Sequence, residues 1–279
     1  MKKKFDPIQL VEDDGNTIMD VGGWSIKKYR LAGHYCNIFT QAMRNKWNLI
    51  YLDLFSGPGY VRLKESKQII KNSALIALSL EHKFDHYIFN DLSKENYDSL
   101  SQRIQDSEYD GSYSIYNEDA NHCIQKVLQE RPSFNNGKGN LTFCFLDPFS
   151  LNLTFETVKE LANENVDILM LHALQMDGNR NLTYYIREEN ERIASFTGNP
   201  HWREGFEKMG NFKGDFMRFL SEEYDRNIQS LGYLNTIKEM IKNNTGRGIY
   251  YLAFYSKHPL GIKFFEESRK RIDEQLDLF

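Results

Sequence analysis

"YLDLFSGPGY" occupies residues 51–60, and the fold turns on how it is read. The apolar run from Leu49 to Leu54, interrupted only by Asp53, reads as a strand. Gly57 and Gly59 follow at once, and glycine enters the backbone angles of a tight turn beneath a ligand without steric cost. A strand feeding a glycine turn is the usual cradle of doubly wound nucleotide-binding folds. Several ligands suit such a cradle, so the rest of the chain must discriminate among them.

Working outward, the segment from Trp24 to Trp47 reads as a helix. Its apolar stripe is Leu31, Tyr35, Ile38, Phe39, Ala42 and Met43, leaving Ile26, Tyr29, Gly33 and Asn37 off the stripe. Downstream of the turn, helix and strand alternate. A helix over about 73–80 precedes the strand "DHYIFND" (85–91), and a helix over 92–104 is opened by Ser93. The strand "SYSIYNED" (112–119) leads to a helix over 121–128. "LTFCFLD" (141–147) and "VDILMLH" (166–172) are continuous apolar runs, the pattern of parallel strands covered on both faces, with a helix over 154–163 between them.

Residues 175–244 are polar and mainly helical, broken at Gly198–Pro200 and Gly210–Gly214, and read as an insertion or lid. A strand over 249–256 and a helix over 260–275 then return to the sheet. The expected division is a lead and helix (1–48), a Rossmann-like core (49–174), the helical insertion (175–244), and a returning strand and helix (245–279).

The bulk numbers narrow the classes. The 279 residues carry a net charge of -4 and a pI near 6.0, so no global field draws nucleic acid. Basic clusters at Lys2–Lys4, Lys27–Arg30 and Arg269–Arg271 read as solvated faces. Cys36, Cys123 and Cys144 have no close mutual spacing, which argues against a disulfide framework or a zinc or iron–sulfur site held by this chain alone. No stretch approaches the roughly 18 apolar residues of a membrane span. The N-terminus has charge but no apolar core, so a cytoplasmic protein is expected.

Three glycine loops can be compared with this one. A P-loop ends in Gly-Lys-Ser/Thr, whereas Tyr60 and Val61 follow Gly59. A dinucleotide fold wants a third glycine where Arg62 stands. What remains is S-adenosylmethionine (SAM), held by loops such as D-x-F-x-G-x-G, and Asp53, Phe55, Gly57 and Gly59 fill that frame. Asp53 would attract the ammonium end of the ligand or polarise the turn. Asp91 ends the second strand, placed to accept from two ribose hydroxyls. Asp119, followed by Ala120, ends the third and could accept from the adenine amine. Asp147 ends the fourth, where catalytic groups would meet the methyl. The bland alternatives are a helix cap at Asp91 or Asp119 and a turn start at Asp147-Pro148.

"YLDLFSGPG", "NSALIAL", the "DAN" of residues 119–121 and "FLDPFSLNLTFETVKELA" together resemble the three-Cys-motif partner (TcmP) family, over about residues 25–260. The resemblance implies a class I SAM-methyltransferase-like fold with a helical appendage that could be a winged helix. It also implies a bacterial or phage mobile-element setting, and a neighbouring partner that bears the three-cysteine motif and resembles radical-SAM enzymes. Members often have glycine after Asp-Pro-Phe, where Ser150 stands here.

The reaction is read from the same residues. Cytosine-C5 methyltransferases need a Pro-Cys nucleophile, and none of the six prolines precedes a cysteine. That class is excluded unless Cys123 or Cys144 substitutes. Amino-methylating enzymes of DNA and RNA use Asp/Asn-Pro-Pro-aromatic, and Asp147-Pro148-Phe149 is a truncated version lacking the second proline. The alternative is a strand-end turn with Phe149 in the core. His172, Arg180 and His201-Trp202 are further candidates, with a core histidine and solvated loops as their plain readings. Two functions stay open: a SAM-dependent methyltransferase for a nucleic-acid or nucleotide amine, and a non-catalytic scaffold for the three-Cys-motif partner.

Overall fold

The computed structural model describes residues 5–107, 109–130, 132–172, 184, 185, 187, 189–209, 216–243, 246 and 248–276. Two short strands, β1 (Leu10–Val11) and β2 (Met19–Val21), precede helix α1 (Ser25–Met43) and strand β3 (Asn48–Asp53). A hairpin of β4 (Tyr60–Leu63) and β5 (Ile69–Lys71) then separates the glycine turn from α2 (Ser73–Leu78). Next come β6 (His86–Asn90), α3 (Lys94–Gln105), β7 (Tyr113–Tyr116), α4 (Ala120–Glu130), β8 (Asn140–Leu146), α5 (Phe155–Ala162) and β9 (Val166–His172). After them stand α6 (Arg192–Thr197), α7 (Trp202–Lys208), α8 (Phe216–Ser230), β10 (Ile237–Lys242), β11 (Gly248–Tyr255) and α9 (Pro259–Leu276).

Seven strands form the main sheet in the order β10-β11-β9-β8-β3-β6-β7. β11 alone runs against its neighbours β9 and β10, and every other pairing is parallel. This is the Rossmann-like, largely parallel α/β sheet expected from the sequence. The continuous apolar strands are its centre, and all residues of β3 and β9 are buried. One face packs on α1, α2, α3 and α9, the other on α4, α5 and the helices α6–α8.

Helix starts follow local chemistry. The side chains of Asn72, Ser93 and Thr154 each accept a backbone N–H of the first turn of α2, α3 and α5. Such caps contribute about 1 kcal/mol apiece and fix where each loop ends and each helix begins.

Three expectations change. Residues 237–242, placed within the helical insertion, form strand β10 of the main sheet, paired with β11. Helices α6–α8 are not a detached lid: Phe196, Trp202, Phe216, Phe219 and Tyr224 share one core with β8, β9 and β11. The bulk of Gly210–Gly214 and of 175–183 lies outside the described residues. Finally, α1 is buried on a second face. Tyr29 packs with Val61, Leu63, Ile70 and Ile76 under a small sheet of order β1-β5-β4-β2, while Ala42, placed in the stripe, is exposed. Among the described residues no helix is long and apolar enough to cross a membrane.

Candidate functional site

Parallel pairing brings the carboxyl ends of β3, β6, β7 and β8 to one edge. Asp53 is level with Phe89 of β6 and Phe145 of β8, and Asn90 is level with Tyr116 of β7. Asp91 and Asp147 directly follow β6 and β8, whereas β7 stops at Tyr116, short of the expected end, and leaves Asp119 three residues beyond it; all four acids still gather at the edge where open α/β sheets bind ligands.

The glycine turn is heavily tied. Gly57 and Gly59 have φ of 60° and 97°, angles at which a side chain is strained. Asn90 stitches three loops together. Its amide donates to the Leu54 and Glu118 carbonyls (both 3.0 Å) and its side-chain oxygen accepts from the Glu118 N–H (3.1 Å). Its own carbonyl accepts from Ser56, through both N–H and hydroxyl. Asn72 donates to the Ser56 carbonyl (2.6 Å). From α3, the buried Arg103 reaches the Pro58 carbonyl (2.6 Å), lies over the Tyr60 ring and grips Asp14 of the N-terminal segment with two N–H groups.

Within this frame the expected cofactor residues divide. Asp53 is fully buried and accepts from Ser73 (2.7 Å), Tyr51 (3.2 Å) and the Phe55 N–H (3.1 Å). Burial pushes its carboxyl up to about 7 against those hydrogen bonds. It offers no surface to a ligand's ammonium. Gly59 is a packing glycine: a Cβ there would stand 2.9 Å from Leu75 and 3.2 Å from Leu100 and Arg103. Valine at Gly59 would therefore disrupt the fold, not fill a ligand's space. Phe55 and Ala120 pack on the core beneath the edge.

Asp91 and Asp119 are half-buried. Asp91 accepts from the Gly57 N–H (2.8 Å), the Ser93 N–H (2.9 Å) and Asn96 (3.1 Å), which turns it toward the glycine turn. Leu92 beside it is 69% exposed, an apolar surface at the rim. Asp119 accepts from the Asn121 N–H (2.9 Å), so it also serves as a turn former ahead of α4. Asn121 ties that loop to the next by donating to the Asn152 carbonyl and accepting from Thr154 and Thr157.

Asp147 is partly open (23% of its side chain) and is met by Lys28 of α1, whose ammonium lies 2.5 Å from one carboxylate oxygen. Lys28 is buried, so this part of the Lys27–Arg30 cluster is not a solvated face. Lys27 and Arg30 also face acids, Glu239 (2.6 Å) and Asp6 (3.7 Å). Pro148 is buried, and Phe149 stands 85% exposed, out of the core. Ser150 adopts φ of 62°, the left-handed region, where glycine would sit without strain.

The remaining candidates fall away. His172 is buried among Phe196, Tyr224 and Tyr255, hydrogen-bonded to the Tyr255 hydroxyl, and burial pulls its pKa down to about 3. Trp202 is core, His201 is exposed beside Glu204, and Arg180 lies outside the described residues. All three thiols are buried; burial pushes Cys123 up to about 12 and raises Cys36 and Cys144 well above the ordinary thiol value, so no ready thiolate nucleophile exists among them. No group of three or more metal-ligating side chains occurs among the described residues.

Lys28, Asn90 and Arg103 were invisible to sequence reading as site residues. Their partners lie 119 residues away for Lys28, up to 36 for Asn90, and 89 for Arg103, and no local spacing announces them.

No family model matches the chain, and no curated protein matches its sequence. Solved structures similar to it include a protein from Legionella pneumophila (10% identity, TM-score 0.49, covering 85% of this chain and 89% of that one). Others are an O-methyltransferase from Bacillus cereus in complex with SAH (12%, 0.45, 81% and 80%) and magnesium protoporphyrin IX methyltransferase from Synechocystis with bound SAM (10%, 0.42, 85% and 85%). At TM-scores below 0.5 these likenesses carry no weight for the reaction of this chain.

Proposed function

We propose that this chain is a SAM-dependent methyltransferase acting on a nucleic-acid or nucleotide amine. The observation that carries the reading is the pairing of a half-open Asp147 carboxylate with the bare ring of Phe149, on the edge that holds the glycine turn. The Phe149 ring presents a flat apolar face suited to stacking on a base.

The residues present suit the cofactor. Asp91 keeps acceptor capacity for ribose hydroxyls, and Leu92 offers an apolar face beside it. Bound SAM would supply an electrophilic methyl on its sulfonium. Asp147 would accept the hydrogens of the target amine, leaving the nitrogen lone pair free to attack. Its charge would then stabilise the cationic amine as the methyl leaves sulfur and the N–C bond forms, and its carboxylate would take the surplus proton of the methylated amine. Phe149 would stack on the base, and Pro148 would hold the loop rigid beneath it.

The test is labelled-methyl transfer from SAM to cellular RNA and DNA. Asp147→Asn should lower the rate by about a hundredfold, with a smaller effect on cofactor affinity. Asp91→Asn should weaken cofactor affinity first. Unchanged transfer in Asp147→Asn would remove that residue from the mechanism.

The resemblance to the three-Cys-motif partner family supports adding its radical-SAM-like neighbour to that assay. Mass spectrometry of nucleic acid from cells with and without the two proteins would identify the modified base. The Lys28–Asp147 pair, which engages the acceptor carboxylate, favours the alternative of a non-catalytic scaffold for that partner. Wild-type chain that transfers no methyl even with the neighbour present would establish that second reading.

A further inference from the structure

The edge of the main sheet away from the glycine turn, where β8 and β9 begin and β11 ends, holds a cavity of about 390 Å³. Phe39 and Met43 of α1, Trp47 just past that helix, and Leu260 and Phe264 of α9 are among its walls. Packed interiors leave few voids larger than a water molecule, and this one has the volume of a small-molecule site.

Strand β9 puts an acid in that wall. Leu169 and Leu171, on one face of the strand, lie in the apolar core, and Asp167 takes the position where a third apolar residue would complete the run. It lines the cavity and is 8% exposed. Tyr35 donates to its Oδ2 (2.6 Å), and the Ser256 hydroxyl stands beside it. A carboxylate accepts about four hydrogen bonds, so acceptor capacity is left over. Burial raises its carboxyl above the ordinary range, and no ion pair joins it to a cation among the described residues.

The basic groups around the cavity do not supply that cation. Lys257 donates to the Ala162 carbonyl and lies over the Tyr233 ring, and Lys46 is exposed to solvent. His258 accepts the Leu260 N–H through Nδ1 (3.1 Å), which only the neutral ring can do. A Cβ at Gly261, which also lines the cavity, would stand 2.9 Å from Asp167 Oδ2, so glycine keeps the space before the acid clear.

We propose that this cavity is a second ligand site, for a planar aromatic amine or amidine of about two fused rings. Two parallel N–H groups on the ligand match a carboxylate as a guanidinium does, and their positive charge meets that of the ionised acid. Phe39, Trp47 and Phe264 offer the ring aromatic faces, which attract cations. A ligand carboxylate would instead be repelled by Asp167. The site stands at the opposite edge from the glycine turn, so it holds or fails independently of the methyl-transfer reading.

Calorimetry compares 2-aminobenzimidazole, a two-ring cation of the amidine type, with naphthalene-2-carboxylate, of similar size and opposite charge. Wild-type protein should bind the first at least about tenfold more tightly, the range of a charge-assisted pair. Asp167→Asn should lose about tenfold for 2-aminobenzimidazole and nothing for the carboxylate. Leu260→Trp, which fills the cavity from α9, should abolish binding of the amine. Should Asp167→Asn fail to fold, Leu260→Trp decides alone. Wild type that shows no heat with the amine up to about 1 mM overturns the site, as does equal affinity for the two probes. Amine binding unchanged in Asp167→Asn removes the acid from it, and binding retained by Leu260→Trp places the amine elsewhere; either result overturns the proposal.

Discussion

The loop after β3 and the loop after β8 sit side by side at one edge and are built in opposite ways. In the first, Ser56, Gly57, Pro58 and Gly59 are buried and tied by Asn72, Asn90, Asp91 and Arg103, residues from three other parts of the chain. In the second, Asp147 has Lys28, Asn152 has Asn121, and Phe149 projects into solvent. A cofactor that is the same in every turnover is best met by a preorganised turn, since ordering it on binding would cost affinity. A macromolecular acceptor that must enter and leave is best met by a ring with few ties. Damage to the first loop should therefore appear as lost stability, and damage to the second as lost turnover.

The sharpest break in that contrast is Gly59→Val. It puts a branched side chain at φ of 97° against Leu75, Leu100 and Arg103, and should cost about 3 kcal/mol or more in chemical denaturation. A variant as stable as wild type would mean that the turn is not the rigid partner. Next comes Asn90→Ala. It orphans the Leu54 carbonyl and both peptide groups of Glu118, which should cost about 2–3 kcal/mol by the same measurement.

A smaller effect belongs to the Asp14–Arg103 clamp that holds the N-terminal segment against the turn. Hydrogen bonds from Arg103 keep the Asp14 carboxyl at about 2, below its ordinary 3.8. A depressed acid stabilises the folded state above its unfolded value and stops doing so as pH falls through the folded one. The melting-temperature gap between wild type and Asp14→Asn should hold above pH 5 and close between 3.8 and about 2. A gap that widens on acidification would reverse the assignment.

Phe149→Ala should change stability least, by under about 0.5 kcal/mol, yet lower methyl transfer about tenfold or more. Lost stability with full transfer would place the ring in the fold and not at the substrate.

What could be read from sequence follows from the range of the forces involved. β3, β8 and β9 announce themselves because a strand buried on both faces must be apolar throughout. The acids could be placed because Asp53 ends β3, Asp91 and Asp147 directly follow β6 and β8, and Asp119 lies three residues past β7. β1, β2, β4 and β5 could not, since runs of two to four residues have no period to detect. β10, "IKEMIK", mixes charge and apolar residues as an amphipathic helix would, and only its neighbour β11 makes it a strand. The second apolar face of α1 was missed for a related reason: the small sheet that covers Tyr29 was itself unseen. Lys28 looked like one charge in a basic run because its fate depends on an acid 119 residues away.

The reversed strand β11 has a consequence for the order in which the molecule can be assembled. Among the described residues β10 pairs with β11 alone, so it has no neighbour until the chain has been made as far as residue 255. On a ribosome, β10 must therefore wait for the strand that follows it, and the sheet grows inward from that hairpin to β9. Tyr35 of α1 likewise waits for Phe254 of β11 and Phe265 of α9, made more than two hundred residues later. A chain halted before β11 leaves one edge of β9 and one face of α1 bare, and such a nascent fragment is a natural client for chaperones.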